Sequence, residues 1–179
     1  MTLMNDVFRP LLDDCVVVYL DDILVYSKSL EEHTEHLRQV LLLLQKHKLY
    51  GKLSKCEFAK SSVDFLGHVV SEEGLATDPH KIDAVRYWNQ PTNLKELQSF
   101  LGLTNYYKKF VKDYSKITCP LTDLLSPKKP YKWTDRQQEA FETLKIAMTT
   151  APVLALPDPN LPFIVTTDAS DKAIATVLA

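Results

Sequence analysis

The sequence is poor in cysteine, lacks any long apolar run and carries almost no net charge, and each absence excludes a class of protein. The three cysteines are odd in number and widely spaced, which predicts reduced thiols in buried packing roles for Cys15, Cys56 and Cys119. No apolar run reaches the roughly 18 residues that span a bilayer, and the N-terminus carries no secretory signal. We therefore expect a soluble intracellular protein, in the cytoplasm or alternatively the nucleus, that does not bind membranes.

The formal net charge of −2 excludes a globally basic protein, so any binding to nucleic acid must depend on local patches. Hydrophobic residues make up 45% of the sequence and charged residues 25%, which is an ordinary globular composition. The 179 residues suffice for one domain or for pieces of two or three.

Two adjacent carboxylates, Asp21 and Asp22, separate two apolar runs at 15–20 and 23–26. Both runs are rich in β-branched and aromatic residues, so the pattern predicts a hairpin with the acidic pair at its bend, buried on at least one face. Burying ionised carboxylates costs roughly several kcal/mol unless a cation neutralises them, which favours a metal site. The alternative is a plain turn, and the absence of glycine or asparagine at the bend makes it the weaker interpretation.

Capping motifs predict most of the helices. Ser29-x-x-Glu32 predicts the start of a helix that runs to about His47, and Asp78-Pro79 predicts the start of a second that runs to about Trp88. Asn93-x-x-Glu96 predicts the start of a third helix. Thr134-x-x-Gln137 predicts the start of a fourth, which ends before Pro152. Gly102 is expected to break the third helix before a further segment, 105–114.

The remaining segments are predicted as strands and connections. Strands are expected at 49–58, with one basic face formed by Lys52 and Lys55, at 63–70, at 163–167 and at 174–178, with turns at 72–74 and 168–171. Prolines indicate a linker at 126–130 and an extended connection at 151–162.

Two polar clusters each have two interpretations. His33 and His36 are spaced for metal ligation, but a solvated helix face fits better because no cysteine or acidic cluster completes a site. The second cluster interleaves aromatic residues with lysines: Tyr106, Tyr107, Lys108, Lys109 and Lys112. It suits a nucleic-acid backbone, and core aromatics with solvated lysines fit the pattern equally well.

Several motifs stand in a fixed order along almost the whole chain. They are Tyr19-Leu20-Asp21-Asp22, 65–70, 97–107, 151–157 and 166–171. In this order they resemble the YxDD box, the primer-grip hairpin, the thumb signature and the passage into the RNase H domain of reverse transcriptases. The thumb signature is similar to that of gypsy-type LTR retrotransposons (Metaviridae).

The resemblance implies an α+β fold: the C-terminal part of a polymerase palm with a helical thumb, followed by the first hairpin of an RNase H-like domain. It divides the chain into palm (1–76), thumb (77–126), connection (127–160) and the start of the RNase H-like domain (161–179).

The resemblance also implies residue roles. Asp21 and Asp22 would be catalytic ligands of Mg²⁺ (or Mn²⁺), expected to bind weakly here, and Asp168 would be the first acid of the RNase H metal site. The residues implied to contact an RNA/DNA primer–template duplex are Tyr19 at the primer terminus, Phe65, Leu66, Gly67 and His68 in the grip, and Gln98, Lys108 and Lys109 in the thumb.

Other parts of the family pattern do not occur in these residues. The third polymerase aspartate, the nucleotide pocket and the later RNase H acids are not present in these residues. Lys172 stands where the family usually has an aromatic or apolar residue, and Ala175 where it usually has a glycine. We therefore expect the isolated chain to be a polymerase piece without activity. The alternative is a host-retained or relic segment that serves as a non-catalytic nucleic-acid or protein binding module. Exposed sheet edges predict self-association or pairing with other polyprotein segments.

Overall fold

The computed structural model describes residues 2–127, 130–156, 162–170 and 173–178. The chain divides into two compact units, Met1–Phe65 and Leu66–Ala179. Among the described residues, no helix has the length and apolarity needed to cross a membrane.

The first unit combines two helices with three short strands. Its elements are α1 (Thr2–Phe8), β1 (Val16–Tyr19), β2 (Asp22–Val25), α2 (Leu30–Lys46) and β3 (Ser62–Phe65). The core is small, because a 65-residue unit with short elements can bury few side chains. Its buried members are Val7, Phe8, Leu11, Cys15, Val16 and Val40.

Strands β1 and β2 form the predicted hairpin. They pair antiparallel with Tyr19 opposite Asp22, so only Leu20 and Asp21 make the turn. Leu20 adopts a positive φ of 55°, a conformation that non-glycine residues take only at a cost of about 1 kcal/mol or more. A turn without glycine is therefore possible here because one residue accepts the left-handed conformation.

Helix α2 confirms the predicted start, since the Ser29 side chain accepts a hydrogen bond from the backbone N–H of Glu32. The strand predicted at 49–58 is wrong. These residues form irregular backbone with one 3-10 turn at Leu53–Lys55, and from Tyr50 onward every side chain is exposed. The alternation of lysine with apolar residues in this segment therefore does not correspond to the two faces of a strand. Cys56 is exposed as well, so the predicted packing role holds for the buried Cys15 and not for Cys56.

The second unit is mainly helical. Its elements are β4 (His68–Ser71), β5 (Gly74–Thr77), α3 (Pro79–Arg86), α4 (Leu94–Tyr106), α5 (Tyr114–Thr122), α6 (Asp135–Thr149), β6 (Val165–Ser170) and β7 (Ala173–Leu178). Its core is built around Phe100, Tyr107, Phe141 and Leu144, each almost completely buried. The Phe100 and Phe141 rings lie 4.7 Å apart, which joins α4 to α6.

The predicted caps of this unit are confirmed. Asp78 accepts from the N–H of His80, Asn93 accepts from the N–H of Glu96, and Thr134 forms a capping box with Gln137. The break predicted at Gly102 is wrong, because α4 continues through it to Tyr106. A glycine costs a helix only about 1 kcal/mol, and the buried side chains on either side of it offset that cost.

The sequence predicts one strand over 63–70, whereas the structure has two, β3 and β4. Leu66 and Gly67 separate them, with φ of 49° and 67°, and positive φ at two successive residues cannot continue a strand. The predicted turn at 72–74 is confirmed, since β4 and β5 pair with Ser71 opposite Gly74.

The proline-rich segment after α6 was not expected to pair with the sheet. Leu154 exchanges two backbone hydrogen bonds of 2.8 Å with Leu75, which makes an isolated bridge beside β5. Gly74 permits this approach. A Cβ on Gly74 would lie 2.2 Å from the carbonyl oxygen of Leu154, and the φ of Gly74 is 127°. Residues 157–161 of the predicted connection lie outside the described residues.

The last two strands lengthen the predicted hairpin. Strands β6 and β7 pair from Val165 opposite Leu178 to Ser170 opposite Ala173. Asp168 was expected in the turn, and this is wrong: it lies within β6, opposite Ala175. The turn itself, 171–172, lies outside the described residues.

We expect Gly74→Ala to destabilise the second unit by about 2 kcal/mol or more, because the added methyl group meets backbone atoms that cannot move independently. Gly102→Ala is the matched control. Nothing lies within 4 Å of its Cβ, so it should stabilise α4 by about 0.5–1 kcal/mol. Urea unfolding followed by tryptophan fluorescence measures both, since Trp88 and Trp133 both pack in this unit. Equal stability of the two variants would contradict the close approach of Gly74 to Leu154.

Candidate nucleic-acid and metal sites

The carboxylate pair lies at the tip of the β1–β2 hairpin. Asp21 occupies the turn and Asp22 begins β2, while Tyr19 ends β1 directly opposite Asp22. Both carboxylates are exposed, and Tyr19 is 45% exposed. The expectation of carboxylates inside a buried bend is therefore wrong, and the burial cost that favoured a metal does not arise at this tip.

The chemistry of the pair still suits a hard cation, because carboxylate oxygens are the ligands that Mg²⁺ and Mn²⁺ prefer. Two oxygen donors form only part of a coordination shell. Among the described residues, no cluster of three or more histidine, cysteine, aspartate and glutamate side chains could hold a metal ion.

The base of the hairpin is fixed by burial. Cys15 and Val16 are fully buried, and the backbone N–H of Tyr26 donates to the carbonyl of Cys15 at 3.0 Å. Burial, followed by the nearby charges of Asp14 and Glu32, raises the pKa of the Cys15 thiol, so it stays protonated. The hairpin thus has a rigid apolar base and an exposed acidic tip.

His33 and His36 belong to no cluster of three or more metal-ligating side chains among the described residues, and they are not a fully solvated helix face either. Each is half-buried, and their Nδ1 atoms lie 3.2 Å and 2.8 Å from the hydroxyl oxygen of Ser27. His36 Nδ1 also lies 3.3 Å from the carbonyl oxygen of Tyr26, which can only accept. The two imidazoles therefore join the end of the hairpin to the first turns of α2.

The grip turn, Leu66–Gly67, is held by two tyrosines. The Tyr106 hydroxyl donates to the carbonyl oxygen of Leu66 at 2.5 Å, and the Tyr107 hydroxyl donates to the carbonyl oxygen of Gly67 at 2.6 Å. Burial raises the pKa of Tyr107 to about 12, and the negative charge of Asp78 contributes further. The Tyr107 hydroxyl therefore remains a donor at neutral pH.

His68 is buried beneath the same aromatic residues. Its ring lies 5.1 Å from that of Tyr106, 5.4 Å from Tyr107 and 5.8 Å from Phe110. His68 Nδ1 lies 2.9 Å from the Leu66 carbonyl oxygen, which can only accept, so Nδ1 carries a proton and donates it to that oxygen. Nε2 is buried and has no hydrogen-bond partner among the described residues.

The two lysines that the resemblance places in the thumb follow Tyr107, the C-cap residue of α4. Lys108 and Lys109 lie in the 3-10 turn Lys108–Phe110 and are exposed, as is Gln98 on α4. Lys109 Nζ lies 5.3 Å from the centre of the Phe110 ring, and partial desolvation lowers the pKa of this lysine. The Tyr107 ring, like that of the neighbouring Phe110, is turned into the core, and the lysines of the cluster are turned into solvent. Tyr106 is the exception, with 51% of its surface exposed.

The predicted site residues are divided between the two units. Tyr19, Asp21, Asp22 and Phe65 belong to the first unit, whereas Leu66, Gly67, His68, Gln98, Lys108, Lys109 and Asp168 belong to the second. Of these, the structure brings Leu66, Gly67 and His68 together with the C-terminal end of α4. The tyrosine hydroxyls that hold the turn were not assigned from the sequence. A Leu-Gly pair between two apolar runs is the only local signal for a turn at that point.

Two family models match separate parts of the chain. Residues 1–70 match the model described as reverse transcriptase (RNA-dependent DNA polymerase), and residues 133–179 match the RNase H-like domain found in reverse transcriptase. The chain thus contains reverse transcriptase and RNase H-like sequence in the order found in retroelement polyproteins.

Among known proteins, the chain is similar to transposon polyproteins. It is 43% identical over 180 residues to the retrovirus-related Pol polyprotein from transposon 297 of Drosophila melanogaster, covering 98% of this chain and 17% of that relative. It is 40% identical over 176 residues to the transposon Tf2-3 polyprotein of Schizosaccharomyces pombe, covering 98% of this chain and 13% of that relative. The chain corresponds to part of the reverse transcriptase and RNase H region of a retroelement polyprotein, and spans less than a fifth of these relatives.

Solved structures agree with the α+β fold expected from the sequence. The foamy viral protease–reverse transcriptase in complex with double-stranded DNA matches with a TM-score of 0.87 and 28% identity, over 99% of this chain and 31% of that one. The same viral protein in complex with an RNA/DNA hybrid matches with a TM-score of 0.82 and 29% identity, over 94% of this chain and 23% of that one.

Proposed function

We propose that the chain is the end of the palm, the thumb, the connection and the start of the RNase H-like domain of a gypsy-type reverse transcriptase, and that it binds a primer–template duplex. The palm is proposed to end at residue 76, the thumb at residue 126 and the connection at residue 160. The observation that carries this proposal is the grip turn, whose two carbonyl oxygens are held by hydroxyls from the end of α4. Supporting it, the similar viral protein was solved in complex with double-stranded DNA and with an RNA/DNA hybrid.

Asp21 and Asp22 are proposed to hold Mg²⁺, or Mn²⁺, within a complete enzyme, and Asp168 to do so in the RNase H-like part. When bound, the metal would activate the primer hydroxyl and stabilise the leaving pyrophosphate. The exposed tip lets the carboxylates reach an ion that also binds nucleotide phosphates, while Tyr19 lies beside them for the primer terminus. Two carboxylates, with no third neighbouring ligand among the described residues, favour weak binding in this chain.

The duplex is proposed to lie against the grip and the exposed side of the thumb. Phe65, Leu66 and Gly67, which are partly exposed, would contact the primer strand. The exposed Gln98, Lys108 and Lys109 would contact the backbone of the nucleic acid. His68 would act indirectly, because its ring is buried and only 8% of its surface is exposed.

A second function, a non-catalytic nucleic-acid or protein binding module, is favoured by one observation. The duplex-binding residues proposed in the second unit need no metal, so a chain without polymerase activity could retain them. The two functions differ in whether the carboxylates matter, and the primer-extension experiment below separates them.

We expect affinity for a primer–template duplex to fall steeply with salt, because lysine contacts with phosphates release counterions. Lys108→Ala and Lys109→Ala should each reduce the slope of log affinity against log salt by about 1. Fluorescence anisotropy at several salt concentrations measures the slope. Lys81→Ala, at an exposed position on α3, is the matched control and should leave the slope unchanged. If all four proteins share one slope, the two thumb lysines do not contact phosphates.

We expect the 179-residue chain by itself not to extend a primer on an RNA template with Mg²⁺ or Mn²⁺. Phosphoryl transfer depends almost wholly on positioning and electrostatic stabilisation, so a site with two carboxylates should lose many orders of magnitude in rate. Gel analysis of a labelled primer is the measurement, with Asp21→Asn as the control. Extension that is present in the wild type and lost in Asp21→Asn would overturn this expectation and favour an active polymerase.

We propose that the hairpin of the first unit pairs with another strand, from a second copy or another polyprotein segment. The β1–β2 sheet has only two described strands, and Val17 on β1 is 41% exposed. Val17→Lys should shift the chain toward monomer, because a charged residue at an edge disfavours pairing. Sedimentation equilibrium is the measurement, with Leu30→Lys on the exposed start of α2 as the control. A wild-type chain that stays monomeric at all concentrations tested would contradict self-association.

A further inference from the structure

The grip turn has an energetically unfavourable backbone conformation. Leu66 and Gly67 both have positive φ, which is typical of a tight two-residue hairpin connection. This region is unfavourable for leucine, which has a β-carbon and no polar side chain to hydrogen-bond locally. Such a conformation persists only where neighbouring groups hold it. The groups that do so here come from a distant part of the sequence, 40 residues further along the chain.

Two consecutive tyrosines supply the support. Tyr106 ends α4 and Tyr107 follows it, and their hydroxyls donate to the two carbonyl oxygens of the turn, one each. Their rings meet edge to face at 4.9 Å, and the His68 ring packs against both. His68 Nδ1 also donates to the Leu66 carbonyl oxygen, so that one oxygen accepts two hydrogen bonds.

This arrangement does not fit the alternative in which both tyrosines stack on bases. Tyr107 is 1% exposed and cannot reach a base without leaving the core. Tyr106 exposes half of its surface, but its hydroxyl already donates a hydrogen bond to the Leu66 carbonyl oxygen of the turn. Gly67 packs closely beneath them, since a Cβ placed there would lie 3.6 Å from the Tyr107 hydroxyl.

We infer that Tyr106 and Tyr107 are positioning residues for the duplex: their hydroxyls fix the grip turn and couple its position to the end of α4. This inference rests on the proposed function, in which Leu66 and Gly67 contact the primer strand. The hydroxyls bind main-chain oxygens of the turn and contact no base. The position that they give the turn is therefore the same for any nucleic-acid sequence. The lysines that follow, Lys108 and Lys109, are thereby fixed relative to the same turn.

The test compares Tyr106→Phe and Tyr107→Phe with Tyr131→Phe. Tyr131 is a close control, because its hydroxyl also donates to a backbone carbonyl 40 residues away in the same unit, that of Pro91, at 2.7 Å. Each substitution removes one hydroxyl and keeps the ring. Affinity for a primer–template duplex and for the single strand is measured well below the melting temperature, together with amide hydrogen exchange at Gly67 and His68.

We expect Tyr106→Phe and Tyr107→Phe each to accelerate exchange in the turn about fivefold and to weaken duplex binding by a similar factor, with little change for the single strand. Tyr131→Phe should change neither. If Tyr107→Phe unfolds, the half-exposed Tyr106 still supplies the comparison.

Other outcomes overturn one claim or the other. If the wild type binds no duplex, the proposed function fails, and this inference fails with it. If the wild type binds duplex and the two variants bind it as tightly as Tyr131→Phe does, only the inference fails. The inference also fails if exchange in the turn is unchanged.

Discussion

The apolar face of α6 is the constraint on which the second unit depends. Helices α3 and α5 pack against this helix, and Phe141 on it contacts both Phe100 of α4 and Trp133. Lys145 on the same helix donates to the carbonyl oxygen of Trp88, just after α3. Because these contacts fix α4, they also fix its last residue, Tyr106, and the following Tyr107, whose hydroxyls hold the grip turn. A helix assigned by resemblance to the connection thus supports the proposed grip.

Most helix starts could be predicted from the sequence because capping is a local interaction. A side-chain oxygen at Ser29, Asp78, Asn93 or Thr134 accepts from a backbone N–H two or three residues ahead, so the motif contains nearly all of the relevant geometry. The β1–β2 hairpin was predictable for a similar reason, since two β-branched runs separated by two residues have few other arrangements. The order of the family motifs predicted reverse transcriptase sequence followed by RNase H-like sequence, and the matching family models agree with that order.

The errors fall where tertiary contacts override local preference. Helix α4 passes through Gly102 because Phe100, Leu101 and Thr104 are buried around it, a fact that propensity does not contain. The 49–58 segment alternates like a strand but finds no partner strand among the described residues. The exposure of Asp21 and Asp22 does not follow from the sequence pattern, because residues that are apolar neighbours in sequence need not surround the carboxylates in space. The tyrosine contacts with the grip turn join residues 40 apart, beyond the reach of any pattern in the sequence.

Under the proposed function, the carboxylate tip and the grip turn have opposite physical requirements, and the chain meets them in opposite ways. A carboxylate that has to receive a hydrated cation and phosphate groups must stay accessible, because desolvating it before the cation arrives would cost several kcal/mol. Asp21 and Asp22 accordingly lie exposed on a hairpin whose base alone is buried. A main-chain contact to a nucleic-acid strand has no side chain to adjust, so its position must be fixed beforehand. The grip turn is fixed by two hydroxyls and one imidazole, all belonging to residues of the second unit.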